Sequence, residues 1–91
     1  MPAAPQYDLF YTSQAQEDLA YWQRTDPRIS QRIERLVKDM ATHPFSGLGK
    51  PEPLRHQLAG YWSRRITKEH RIVYRVAGST IYVAQCRLHY R

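Results

Sequence analysis

Between Ala15 and Met40 the apolar residues recur at helical spacing, and a single short break divides the pattern in two. Ala15, Leu19 and Trp22 form the first stripe, ending near Arg24. Ile29, Ile33, Leu36, Val37 and Met40 form the second, about four turns long. Thr12-Ser13 offers a cap for the first helix, with Gln16 three residues after Ser13 in the capping-box pattern. At Thr25-Asp26-Pro27 an Asp can accept orphan amide hydrogens and a Pro suits the first helical position, so a second helix starts there. His43-Pro44 ends it. These residues predict a helical hairpin with one apolar face, which a second layer must cover.

The second layer reads as strands. Tyr7 to Tyr11 is short and aromatic-rich, as expected of a first strand. Residues 44–59 contain Pro44, Gly47, Gly49, Pro51 and Pro53 and predict a stiff, irregular loop. Three strand-like runs follow at Tyr61–Ile66, His70–Val76 and Thr80–Arg87, separated at hairpin distances by Thr67-Lys68-Glu69 and Ala77-Gly78-Ser79. The expectation is an α+β fold: a short N-terminal strand, a helical hairpin, then a three-stranded antiparallel meander. The helices cover one sheet face and leave the other open. At 91 residues the chain has room for one small domain, 1–91, and a core of that size leaves a dimer or partner unsurprising.

Charge is divided along the chain. Residues 1–49 carry five Lys/Arg against six Asp/Glu, whereas residues 50–91 carry nine against two, so the net +6 comes wholly from the strand-rich half. A basic surface of this kind suits a polyanion such as nucleic acid. A lone cysteine, Cys86, excludes an internal disulfide framework and reads as a small buried residue. The N-terminus lacks a signal-peptide pattern and no apolar run is long enough for a bilayer, so a cytoplasmic protein with no membrane role is expected. His56 and His70 have no Cys or carboxylate at ligand spacing, so neither a metal site nor a cofactor is expected.

Cleaving RNA without a metal requires a proton acceptor, a proton donor and fixed positive charge about the phosphate. Glu52 lies between Pro51 and Pro53, which fix their own φ angles and restrict their predecessors, so its carboxylate is pre-positioned. The competing reading is an acid in a turn making a rim salt bridge. Lys50 and Arg55 flank it. Arg64, Arg65, Arg71, Arg75 and Arg87 lie on the predicted strands, and a hairpin turning around Lys68 sets Arg65 opposite Arg71 on one face. Like charges so placed are unfavourable without an anion between them, and guanidinium forks match phosphate oxygens. Otherwise they form a solvated outer face. His89 and Tyr90 end the basic half; a histidine titrates near neutrality and can protonate a leaving oxygen, although a tail position equally fits a frayed end.

The segments Tyr21-Trp22-Gln23, Lys50-Pro51-Glu52-Pro53-Leu54, Trp62-Ser63-Arg64-Arg65-Ile66-Thr67, Glu69-His70-Arg71 and Cys86-Arg87 followed by His89-Tyr90 together resemble YoeB-type toxins of the RelE-like superfamily of bacterial toxin–antitoxin systems. The likeness covers nearly everything after residue 10. It implies a microbial-RNase-like sheet and an endoribonuclease that cleaves mRNA in the ribosomal A site, inhibiting translation. It places the general base on Glu52, the phosphate-stabilising arginine on Arg71 and the general acid on His89. Lys50, Arg65 and Tyr90 take supporting positions. Arg55 stands where a close family member has lysine. A cognate antitoxin over the basic face, and a homodimer, are also implied. Two competing classes remain: a basic module that blocks ribosomes or RNA without cutting, and a DNA-binding co-repressor, for which the helical hairpin's acidic faces give little support.

Overall fold

In the computed structural model, which describes residues 6–87, the elements run β1 (Asp8–Tyr11), α1 (Ser13–Thr25), α2 (Pro27–Thr42), β2 (Glu52–Pro53), β3 (Trp62–Arg65), β4 (Arg71–Ala77) and β5 (Thr80–Gln85), with a short 3₁₀ turn at His56–Leu58. The first cap sits one residue earlier than the capping-box pattern suggests. The Thr12 hydroxyl accepts from the Ala15 amide at 3.1 Å and donates to the Ala84 carbonyl at 2.7 Å, while Gln16 Nε2 donates to the Tyr11 carbonyl instead of closing a box. One side chain thus starts α1 and fastens it to β5. Asp26 serves both helices: its backbone N–H caps the Trp22 carbonyl, and its carboxylate accepts from the Arg28 amide, with Pro27 at the first helical position.

The sheet order is β1-β5-β4-β3-β2. The expected meander is present as β3, β4 and β5, antiparallel throughout. It is extended on both sides. β1 pairs in parallel with β5, from Asp8 opposite Thr80 to Tyr11 opposite Val83. β2 arises inside the segment expected to be an irregular loop and pairs Glu52 with Ser63 and Pro53 with Trp62. A strand of two residues leaves no period to read, and Pro is compatible with an edge strand. α+β is therefore the observed class, with a mixed sheet of five strands among the described residues.

Register assigns the faces. Ile72, Tyr74, Ile81 and Val83 are fully buried and join Ala15 and Trp22 of α1 and Ile33, Leu36, Val37 and Met40 of α2 in one cluster. Each such aliphatic side chain contributes about 1.5–3 kcal/mol by leaving water. The alternate residues Ser63, Arg65, Arg71, Val73, Arg75 and Tyr82 belong to the other face, which the helices do not cover. Beyond β5 the chain is held by α1. The buried Asp18 carboxylate accepts from the Cys86 amide at 2.9 Å, and Trp22 Nε1 donates to the Cys86 carbonyl at 3.0 Å.

Cys86 is wholly buried, as its sequence context suggests. Burial, with a smaller contribution from the Asp18 charge, pushes its thiol up to about 12. A thiolate is the reactive species. A thiol-reactive disulfide reagent at neutral pH should therefore leave the native protein unlabelled and label one site per chain after denaturation; rapid labelling of the native protein would contradict this burial.

Candidate functional site

Adjacent residues of a strand face opposite ways, and Arg64 and Arg65 do so with opposite consequences. Arg64 points into the protein and is completely buried. The expectation that it binds phosphate is therefore corrected: its five N–H groups are already spent on internal acceptors. Nε donates to the Tyr74 hydroxyl at 3.3 Å. Nη1 donates to Asp39 Oδ2 at 2.7 Å and to the Leu48 carbonyl at 3.1 Å. Nη2 donates to the carbonyls of His43 and, at 2.7 Å, Ser46. Asp39 Oδ2 also accepts from the Leu48 amide at 3.0 Å, and the Tyr74 hydroxyl donates to the Pro44 carbonyl at 2.7 Å. The irregular 43–48 segment thus satisfies its backbone through one guanidinium instead of a ladder.

That segment delivers the chain to the candidate site. Gly49 sits at φ +79, and a Cβ there would lie 3.0 Å from the Arg65 carbonyl and 2.9 Å from a Leu36 methyl, so close approach as well as backbone angle calls for glycine. The Gly49 carbonyl accepts from the Arg65 amide at 2.7 Å. Lys50 follows at φ 53, a left-handed conformation that costs a non-glycine residue about 1 kcal/mol or more. Its side chain is exposed. Pro51 then leads into β2, so Glu52 is carried on a sheet edge, not in a loop.

Glu52 faces the uncovered side of the sheet. Arg71 Nη1 donates to Glu52 Oε1 at 3.1 Å and to Ser63 Oγ at 3.3 Å. Arg65 lies directly opposite Arg71, as the hairpin reading expects. The Glu52 carboxylate supplies an anion to the Arg71 member of that pair. The Glu52 side chain is 56% exposed and Arg71 27%, so both can meet a ligand from solvent. This contact is also the ion pair of the competing structural reading; exposed pairs of this kind add little to stability. The arrangement can bring a proton acceptor and paired guanidinium charge to one phosphodiester.

The remaining expected residues fall as follows. Arg55 is exposed at the start of the 3₁₀ turn. Arg87 leaves the open face and stacks on the Tyr21 ring of α1 at 3.6 Å. His89 and Tyr90 lie outside the described residues. Ser63 and Asp39 were not singled out by sequence. Ser63 has a signal, since it is two residues before Arg65 and shares its face. Asp39 has none, because a carboxylate beside an apolar stripe looks like any solvated helix residue.

Two outcomes follow from the Arg64 network. Arg64→Met should destabilise the protein by about 3–5 kcal/mol in urea unfolding, because it leaves Asp39 and three carbonyls without their donor. Burial raises the Asp39 pKa, but the hydrogen bond from Arg64, the Leu48 amide and the charges of Arg64 and His43 outweigh it and hold the carboxyl below its ordinary value. A depressed folded pKa gives stability that is complete above the unfolded value, near 4, and is lost as pH falls through the folded one. Wild type should therefore lose stability below about pH 4, and Asp39→Asn should flatten that part of the profile; parallel profiles would remove Asp39 from the account.

Comparison with known proteins identifies the family of the chain. A family model described as YoeB-like toxin of bacterial type II toxin-antitoxin system matches residues 11–90. The chain is 51% identical over 82 residues to Toxin YoeB of Escherichia coli (strain K12), covering 90% of this chain and 98% of that protein. Among solved structures, a YoeB/ParE toxin from Agrobacterium tumefaciens superposes with a TM-score of 0.87 at 53% identity, covering 91% of this chain and 99% of that one. The YoeB dimer from Staphylococcus aureus gives 0.84 at 40% identity, and the YoeB–YefM complex from the same organism gives 0.84 at 38%; each match covers 93% of this chain and 99% of the other. The chain belongs to the YoeB-like toxins of bacterial type II toxin–antitoxin systems.

Proposed function

We propose that this toxin is an endoribonuclease that cuts mRNA in the ribosomal A site by metal-independent acid–base transfer and so stops translation. The observation that carries the reading is the Glu52–Arg71 contact beside Arg65 on the uncovered sheet face. Glu52 takes the proton from a 2′-hydroxyl, whose oxygen attacks the adjacent phosphorus. Arg71, with Arg65 and Lys50, offsets the charge that grows on the phosphate oxygens. His89 protonates the departing 5′-oxygen, leaving a 2′,3′-cyclic phosphate and a 5′-hydroxyl end. Arg55 and Tyr90 complete the RNA contacts. Binding of the phosphate draws Arg71 from Glu52, which frees the carboxylate to act as base.

The partners proposed alongside the ribosome and mRNA are a cognate antitoxin over the basic face and a second copy of this chain. The Staphylococcus aureus relatives that form a dimer and a complex with YefM support both. The reaction is assigned to the cytoplasm, where translation occurs; no helix of the described residues is long and apolar enough to cross a membrane.

Single-turnover cleavage of ribosome-bound mRNA tests the assignment. Glu52→Ala and His89→Ala should each slow the reaction by about 10²–10⁴-fold. Fragments should carry 5′-hydroxyl ends. Near wild-type rates for both variants would falsify the acid–base roles, and translational arrest without fragments would favour the blocking module instead.

A further inference from the structure

The uncovered face does not end at Arg71. Four residues further along β4, on the same side and about 13 Å away, is Arg75. Its guanidinium lies 4.3 Å from the centre of the Tyr82 ring, and the Phe10 ring meets Tyr82 edge-on at 5.6 Å. Register makes this a row: Arg75 pairs with Tyr82, and Tyr82 with Phe10. Phe10 is 47% exposed, an unusual position for a phenylalanine at the edge of a small sheet. None of the three contributes to the helix-side core, and none is needed for the acid–base chemistry.

We propose that Arg75, Tyr82 and Phe10 form a stacking platform for unpaired bases of single-stranded RNA adjoining the scissile phosphate. The inference rests on the nuclease reading above and adds a subsite to it. Aromatic rings and guanidinium planes accept any base by stacking, and a nearby cation holds the backbone, which is how non-specific single-strand sites are built. The platform shares its face and strand with Arg71, so one strand of RNA can reach both. Asp8, two residues before Phe10 and facing the same way, makes the far end unfavourable for phosphate and thereby limits the platform to bases. An antitoxin peptide is the alternative occupant. The lone positive charge beside two rings, continuous with a cationic half-sheet, favours RNA.

The test uses full-length protein and a fluorescein-labelled 2′-O-methyl RNA decamer carrying 2-aminopurine, which lacks the hydroxyl needed for cleavage. Anisotropy at low and higher salt gives affinity, and 2-aminopurine quenching reports stacking. Phe10→Ser and Tyr82→Leu should each weaken binding about tenfold and relieve quenching. Arg75→Gln should weaken it and lower the salt slope by about one. Binding of a blunt duplex should be unchanged by all three, and circular dichroism melts confirm that each variant is folded. Equal affinity and quenching in all variants overturns the platform, as does failure of wild type to bind the decamer. So does a loss confined to antitoxin affinity, which assigns the face to protein. Wild-type cleavage of ribosome-bound mRNA is assayed in parallel: translational arrest without fragments defeats the nuclease reading, while the platform's binding result stands separately.

Discussion

One buried guanidinium organises the side of the molecule that bears the candidate site. Arg64 has no exposed surface, and every one of its N–H groups meets an acceptor. Burial of an unpaired charge is prohibitive, so the helix carboxylate, the loop carbonyls and the Tyr74 hydroxyl must all be present for β3 to lie where it does. The reverse dependence is equally strong. The 43–48 segment has few backbone partners of its own, and without Arg64 the His43, Ser46 and Leu48 carbonyls on its path toward Gly49 would lose their donor. The Glu52–Arg71 contact inherits its geometry from this network, because the edge strand begins three residues after Gly49.

The two faces of β3 therefore do different work from neighbouring positions. Arg64 stabilises by being inaccessible; Arg65, one residue on, is exposed and opposes Arg71. The open face brings cations together without covering them, a conformation that is electrostatically unfavourable by itself. Glu52 relieves it in the free protein. A phosphate would relieve it better, having more acceptor oxygens and greater charge, so the resting ion pair and the proposed bound state compete for the same guanidinium.

Much of this was legible in the sequence, for identifiable reasons. The helices were, because the apolar stripes at Ala15–Trp22 and Ile29–Met40 are long and Asp26-Pro27 marks the break between them. The meander was, because hairpins are local, and the Arg65–Arg71 pairing follows from the turn around Lys68. The parallel pairing of β1 with β5 was not, because it joins residues some seventy apart and leaves no local pattern. Arg64 was misread for an instructive reason. Two successive arginines on a strand cannot share a face, yet charge alone places both outside; only the acceptors waiting in the 43–48 segment decide which one is buried.

The edge made by Glu52 and Pro53 has a consequence for solubility. An exposed strand edge normally offers a row of free amides and carbonyls to any other extended chain. Here that border is two residues long, carries a charge and includes a residue with no amide hydrogen. It is a poor template for intermolecular strand addition. The brevity that hid this strand from sequence reading also guards the molecule, at its most basic flank, against edge-to-edge aggregation.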